Sequence, residues 1–188
     1  MIRNKIGILA IAALAAMCLQ AENPNRIKPL ADDFVVVCKS PDPQRIYCFT
    51  PGICRLPSGR LVATCDLGGP GVKGPRGRIF VSDDHGKTWR KMGEFPLSHA
   101  RPFLAGGKLY ILGHSGDLGV LRSEDCGETW RTFAVLADDS PKQPDGRGTE
   151  FSYPAVIEPR PGVLAITFTW NRRQIRFVEM KLPSRRVL

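Results

Sequence analysis

The sequence predicts an all-β fold made of repeated four-stranded units, and two observations support that prediction. The eight-residue pattern Ser-x-Asp-x-Gly-x-Thr-Trp occurs twice, beginning at Ser82 and at Ser123, which are 41 residues apart. Short runs rich in β-branched and aromatic residues, bounded by Gly, Pro, Asn or Asp, flank both copies, as is typical of strands. A repeat of about 40–50 residues with four short strands is the pattern expected of a β-propeller blade.

The chain begins with the pattern of a secretory signal peptide. The basic residues Arg3 and Lys5 precede an apolar run over residues 6–19. A charged start, an apolar core of about 7–15 residues and a small residue at the cleavage point are typical of such signals. A membrane-spanning helix needs about 20 apolar residues. We therefore expect residues 1–21 to be removed and the mature chain to be exported, as a periplasmic or secreted protein without membrane association.

After a lead-in over residues 22–41, we expect a partial propeller over residues 42–188. It contains three units, at about residues 42–95, 96–137 and 150–182, with a linker at 138–149 that is rich in Asp, Pro, Lys and Gly. The strands predicted within these units are residues 59–64, 78–81, 90–92, 107–112, 119–122, 131–136, 151–158, 163–170 and 174–180.

The repeated motif predicts a locked turn between two strands. An Asp side chain can accept hydrogen bonds from backbone N–H groups of its own turn. The Gly allows a left-handed backbone, the Thr can bond back across the turn, and the Trp buries a large ring. We therefore interpret the motif residues as structural and not catalytic: Ser82, Asp84, Gly86, Thr88 and Trp89, and Ser123, Asp125, Gly127, Thr129 and Trp130.

Composition excludes some partners and leaves others open. The chain has 27 Lys and Arg against 18 Asp and Glu, a formal net charge of +9. Arginine is a good bidentate partner for acidic groups, so an acidic ligand and a merely basic surface are both compatible with this charge. No run of basic residues resembles a nucleic-acid-binding arm, and we expect no nucleic-acid partner.

The cysteines favour a structural role. Five of them follow the predicted signal peptide, and their spacings match no zinc motif, so we expect no metal site and no cofactor. Four fall within residues 38–65, which leaves one local disulfide open. The five are Cys38, Cys48, Cys54, Cys65 and Cys126.

The two motif copies resemble the Asp boxes (BNR repeats) of sialidases, also called neuraminidases. Residues 45–47 and 51–61 look like the opening blade of that family, and residues 151–156 with 169–173 look like its closing blade. The resemblance implies a sialidase-type β-propeller that is incomplete, with about three four-stranded blades of the usual six. The linker lies where the middle blades would be, so we expect a truncated or internally deleted relative.

The resemblance also implies a site for sialylated or other acidic glycans. Sialidases are retaining glycosidases with a tyrosine nucleophile. By resemblance Tyr153 is the nucleophile, Glu150 its base and Asp66 the acid, although Asp66 aligns with a strand end and not with the family's acid loop. Arg45 matches the first arginine that holds the substrate carboxylate. Arg101 begins the second unit much as Arg45 begins the first.

The family's second and third arginines come from middle blades that this chain lacks, so the catalytic set is incomplete. Three functions stay open from the sequence. The first is a sialidase-like exo-glycoside hydrolase acting on terminal sialic acid or a related acidic sugar. The second is a non-catalytic propeller fragment that binds glycans or proteins, and the third is an inactive remnant.

Overall fold

The computed structural model describes residues 34–138, 146 and 148–183, and these residues form eleven β-strands and no helix. The predicted signal peptide and most of the lead-in lie outside the described residues. Within the described part, no helix is long and apolar enough to cross a membrane. The strands are β1 (Tyr47–Arg55), β2 (Leu61–Gly68), β3 (Gly77–Ser82), β4 (Arg90–Phe95), β5 (Ser98–Ala105), β6 (Lys108–Ser115), β7 (Asp117–Ser123), β8 (Arg131–Ala137), β9 (Phe151–Arg160), β10 (Val163–Trp170) and β11 (Gln174–Lys181).

The strands form three antiparallel sheets, one within each predicted unit. The first sheet has the order β1-β2-β3-β4 and the second the order β5-β6-β7-β8. The third sheet has the order β11-β10-β9, so in the described residues it contains three strands where four were expected. The predicted all-β, incomplete propeller is thereby confirmed, with a smaller third blade.

The sheets pack face to face, and the middle sheet is buried on both sides. On β6, Leu109 and Ile111 belong to the core shared with the first sheet, whereas Tyr110 and Leu112 belong to the core shared with the third. Alternate residues of a strand point to opposite faces, so a strand covered on both faces reads as a nearly continuous apolar run. Each side chain of this size stabilises the fold by about 1.5–3 kcal/mol when it is fully buried.

The first strand of each sheet lies beside the first strand of the next, as at the centre of a propeller. The strands β1 and β5 approach each other closely at Gly52. A Cβ atom built on Gly52 would lie 2.5 Å from Cδ of Pro102 and 2.8 Å from Oγ1 of Thr64. Only glycine therefore fits at this point of contact.

The two end sheets keep apolar side chains on their outward faces. In the third sheet Ile157, Ile175 and Phe177 are 66%, 73% and 64% exposed. On the outward face of the first sheet Ile53 is exposed as well, but the neighbouring part of that face is covered by residues that precede β1. Large exposed apolar residues on an open sheet mark a face that no further blade covers among the described residues.

The two repeated motifs form the same hydrogen-bonded turn. In the first, Oδ1 of Asp84 accepts bonds from the Ser82 hydroxyl (2.7 Å) and the Thr88 N–H (2.9 Å), and Oδ2 accepts the Thr88 hydroxyl (2.6 Å). The Ser82 hydroxyl in turn accepts the N–H of Gly86 at 2.8 Å. These bonds hold the pKa of Asp84 below its usual range, the Thr88 hydroxyl having the largest effect.

The second turn repeats these contacts around Asp125, which accepts bonds from Ser123 and Thr129. Gly127 has a φ of 106°, and Gly86 in the first turn has a φ of 90°. A residue with a Cβ atom adopts such positive values only at a steric cost. The Trp130 ring lies 6.3 Å from that of Phe95, against the core between the first and second sheets.

Candidate functional site

The first strand of each sheet contains a β-bulge, and each bulge has one non-glycine residue with a left-handed backbone. The three residues are Thr50 (φ 50°), His99 (φ 51°) and Tyr153 (φ 52°). The strand register shifts at each of them. Residues of these types rarely adopt positive φ, and both bulges and strained backbones are concentrated at functional sites. The repeat therefore brings one strained residue from each blade to the inner strands.

Aromatic side chains from the second and third sheets meet at these bulges. The ring of His99 is stacked on that of Tyr153, with centroids 6.0 Å apart and an interplanar angle of 29°. Nδ1 of His99 lies 2.8 Å from Nε2 of His114, so one imidazole donates a hydrogen bond to the other. Tyr153 is 67% exposed and its hydroxyl is therefore open to a ligand.

A buried carboxyl group lies behind this cluster. Asp66, near the end of β2, is only 3% exposed, and its Oδ2 accepts a hydrogen bond from the N–H of His99. Burial raises the pKa of Asp66, and the His99 N–H and the Thr50 hydroxyl offset that rise only in part. Asp66 thus links the bulges of the first two blades.

A second carboxyl group has the opposite shift. Glu150 lies just before β9, and its Oε1 is 3.0 Å from Nε of Arg172 and 3.0 Å from the Ser152 hydroxyl. Burial raises the pKa of Glu150, but these hydrogen bonds outweigh it and the net pKa is lowered. The Glu150 N–H also donates to Oδ1 of Asn171 at 2.7 Å, which fixes the residue against the turn after β10.

Tyr153 and Glu150 share a neighbouring cation. The pKa of Arg172 is raised chiefly by its hydrogen bond to Glu150, and to a smaller extent by the Tyr153 phenol. The pKa of Asp66 is raised and that of Glu150 is lowered. Enzymes that use one carboxyl group as an acid and another as a base have such opposite shifts. The site thus combines an exposed tyrosine with Glu150 held by Arg172, while Asp66 lies buried behind His99.

The two predicted substrate-binding arginines lie at different places. Arg101 is on β5, two residues after the bulge at His99, and its Nη1 donates to the carbonyl of Pro51 at 2.6 Å. Arg45 precedes β1, where its carbonyl accepts the N–H of Gly71 at 3.0 Å. The expectation that Arg101 matches Arg45 in the repeat is wrong, because the paired strands place Gly52 at the Arg101 position. The role predicted for each arginine remains a prediction.

Several residues of the cluster were not identified from the sequence: Thr50, His99, His114 and Arg172. A signal for the bulges was present, since Thr50-Pro51 and Tyr153-Pro154 are matching residue–proline pairs near the start of two units. Aligning the units on those pairs would also have selected His99. In the described residues, no group of three or more His, Cys, Asp or Glu side chains is arranged to hold a metal ion.

No protein-family model and no curated protein sequence matches the chain. Solved structures do. An α-L-arabinanase of Penicillium chrysogenum in complex with arabinobiose superimposes with a TM-score of 0.53 and 21% identity, over 70% of this chain and 45% of the other. The GH93 α-L-arabinofuranosidase of Fusarium graminearum, also in complex with arabinobiose, superimposes with a TM-score of 0.54 and 18% identity, over 70% of this chain and 44% of the other. The Hadza microbial sialidase Hz136 superimposes with a TM-score of 0.50 and 17% identity, over 72% of this chain and 32% of the other.

The chain therefore spans less than half the length of each of these proteins. At these identities the likeness concerns the fold. A sialidase and two arabinose-specific enzymes share one propeller architecture with this chain, which agrees with its three radially packed sheets. The chain has the β-propeller fold of these glycosidases in an incomplete, three-bladed form.

Proposed function

We propose that this chain is a sialidase-like exo-glycoside hydrolase that removes terminal sialic acid or a related acidic sugar from exported or extracellular glycans. The observation that supports it most is the exposed tyrosine on a strained bulge, stacked on His99, whose N–H binds Asp66, and beside Arg172, which binds Glu150. Strained residues and shifted acid–base pairs are both enriched in active sites. The predicted signal peptide would place the enzyme outside the cytoplasm, where such glycans occur.

In this proposal Tyr153 attacks the anomeric carbon and transfers its proton to Glu150. Arg172 holds Glu150 ionised, so that it can accept the proton. Asp66, whose pKa is raised by burial, gives a proton to the leaving oxygen once the bulge at His99 moves and exposes it. Water then releases the sugar from Tyr153 in the second step. A neutral nucleophile avoids the repulsion that a carboxylate would meet from an acidic sugar.

The sugar's own carboxylate needs cationic partners. Arg172 is 78% exposed and stands beside the nucleophile, which makes it the best placed of the arginines. Arg101 lies on the inner strand β5, and its side chain donates a hydrogen bond to the carbonyl of Pro51, the residue after Thr50. We propose Arg172 and Arg101 as the carboxylate partners, with Arg45 as the residue that the family resemblance adds.

The structural neighbours support a sugar ligand in general. Two of them were solved with arabinobiose and one is a sialidase, so the same fold accepts both neutral and acidic sugars. The formal charge of +9 and the arginines near Tyr153 favour the acidic one here. Charge complementarity of this kind raises the local concentration of an anionic substrate.

The test is release of 4-methylumbelliferone from its α-sialoside, with 4-nitrophenyl α-L-arabinofuranoside as the neutral comparison. We expect turnover of the sialoside alone, and a loss of at least about 100-fold in Tyr153→Phe and Glu150→Gln. Tyr47→Phe, an exposed tyrosine on the first sheet, is the matched control and should keep full activity. Equal turnover by Tyr153→Phe, or hydrolysis of the arabinofuranoside instead, would contradict the proposal.

One observation favours a second function, a glycan-binding module without turnover. Asp66 is 3% exposed, and a carboxyl group so deeply buried cannot reach the leaving oxygen of a bound sugar unless the bulge at His99 moves. In that case sialyllactose should bind, as measured by calorimetry, while the sialoside assay gives no product. Tyr153→Phe should then leave binding nearly unchanged.

A further inference from the structure

Three cysteine side chains gather on the outward face of the first sheet, away from the bulges. Sγ of Cys38 lies 3.8 Å from Sγ of Cys48. The thiol of Cys38 also interacts with that of Cys65. No disulfide joins any two of these three cysteines. Cys38 is thus the central member of a group that joins the segment before β1 to the first two strands.

The pairing of β1 and β2 explains why these residues share a face. Cys48 is directly opposite Leu67, and opposite residues of an antiparallel pair point to the same side. Leu67 and Cys65 are two residues apart and share that side too. Val37 and Cys38 pack on the same surface, against Ala63, Cys65 and Phe80.

We propose that Cys38 and Cys48 are a redox site, which forms a disulfide by exchange with a small-molecule disulfide such as oxidised glutathione. The thiolate of Cys48 attacks one sulfur of glutathione disulfide and releases one glutathione. Cys38 then attacks the mixed disulfide at Cys48 and releases the second. The chain loses two hydrogens, and one glutathione disulfide becomes two glutathiones.

Accessibility decides the order of these steps and the choice of partner. Cys48 is exposed and meets the oxidant first, whereas Cys65 is 8% exposed and is shielded from it. The 3.8 Å between the sulfurs of Cys38 and Cys48 must shorten to about 2.05 Å. Rotations about the two Cα–Cβ bonds supply a change of this size without a shift of the strand.

The disulfide would fasten the segment before β1 across the open face of the first sheet. Without it, Val37 and Cys38 pack on that face without a covalent bond to it. The bond closes a short loop over residues 38–48, so it restricts the unfolded chain more than the folded one. Oxidation should therefore raise the midpoint of thermal unfolding by roughly 5–10 °C.

Reaction rate gives an independent signature. Burial raises the pKa of the Cys48 thiol, and the nearby Cys38 raises it further. Only the thiolate attacks a disulfide. Oxidation should therefore be slow at pH 7 and about tenfold faster for each unit of pH up to the thiol pKa.

The test is mass spectrometry of the purified full chain after incubation with oxidised glutathione. Trypsin separates the Cys38 peptide (residues 27–39) from the peptide with Cys48 and Cys54 (residues 46–55) and the peptide with Cys65 (residues 61–73). We expect 27–39 to be linked to 46–55, with a mass two hydrogens below the sum of the two peptides. In the Cys54→Ser variant the linked pair should still form, with its mass lowered only by the replacement of one sulfur by oxygen. That result would place the bond at Cys48.

Cys126→Ser is the matched control and should oxidise as the wild type does, since Cys126 lies in the second sheet's turn. Cys48→Ser should lose both the linked peptide and the gain in unfolding midpoint. A bond from 27–39 to 61–73, a stable glutathione adduct on Cys48, or no mass change would each overturn the proposal. The wild-type chain itself gives the linked peptide and the rise in unfolding midpoint, and fragmentation of that linked peptide distinguishes Cys48 from Cys54 where the variant does not fold.

Discussion

Replacement of Gly52 by alanine tests the contact between the first two blades. The new Cβ would lie 2.5 Å from Cδ of Pro102 and 2.8 Å from Oγ1 of Thr64. Carbon atoms in contact are normally about 3.5–4.0 Å apart, so the two inner strands would have to separate by about 1 Å. The proline ring cannot rotate away, and Thr64 is buried.

The cost can be worked from this geometry. Overpacking a well-packed core costs about 1–3 kcal/mol, whereas the lost flexibility of the unfolded chain returns about 0.5–1 kcal/mol for a Gly→Ala change in a strand. We expect a net loss of about 1–2 kcal/mol in the free energy of unfolding. For a chain of this length that lowers the unfolding midpoint by about 2–8 °C.

A matched variant should change stability in the opposite direction. Gly119 is on β7. A Cβ atom built there would have the carbonyl oxygen of Ala134 as its nearest neighbour, at 3.6 Å, which is an ordinary van der Waals distance. Gly119→Ala should therefore stabilise the chain by about 0.5–1 kcal/mol. Urea unfolding followed by tryptophan fluorescence measures both.

The double variant Gly52→Ala/Pro102→Ala completes the test. If the clash is with the proline ring, the double variant should lose less free energy of unfolding than the two single variants lose together, because both changes affect the same contact. A Gly52→Ala chain as stable as Gly119→Ala would refute the packing of β1 against β5, and with it the radial arrangement of the blades.

Three further predictions concern the core, a turn and the buried acid. Ile166→Ala, in the core between the second and third sheets, should cost about 2–5 kcal/mol in urea unfolding, and Ile175→Ala on the open face less than about 0.5 kcal/mol. Ser123→Ala should cost about 1 kcal/mol, because the N–H of Gly127 loses a 2.8 Å hydrogen bond. For Asp66, whose pKa is raised by burial, the stabilising protonated form is lost as pH rises through that pKa. Asp66→Asn should therefore gain stability relative to wild type between pH 4 and pH 7, and a constant difference would contradict the shift.

Much of the fold could be predicted because its signals are local. The two motif copies predict a turn whose hydrogen bonds all lie within eight residues, and both turns form as expected. The strands around them follow short runs of β-branched residues. The three strands of the third sheet were each predicted, although four-stranded blades were expected, whereas β5, which contains Pro102, was not predicted as a strand.

The site was predicted only in part because it depends on pairing between distant strands. Glu150 and Tyr153 are neighbours in sequence, and the structure places both beside Arg172. His99 and His114 come together only because β5 and β6 pair, and the sequence alone does not show that pairing, although the residue–proline pairs at Thr50 and Tyr153 mark where the bulges fall. Arg101 does not match Arg45 because Arg101 lies on β5, two residues after the bulge, whereas Arg45 precedes β1.

The most direct test of the proposed function is covalent trapping of the nucleophile. The purified chain would be incubated with a 2,3-difluoro derivative of sialic acid, whose fluorine atoms slow release of the sugar from a covalent intermediate, and then analysed by intact and peptide mass spectrometry. We predict one added sugar, located on Tyr153 and absent from Tyr153→Phe. No adduct on a folded chain, or an adduct on another residue, would contradict the assignment of Tyr153 as the nucleophile of a glycoside hydrolase.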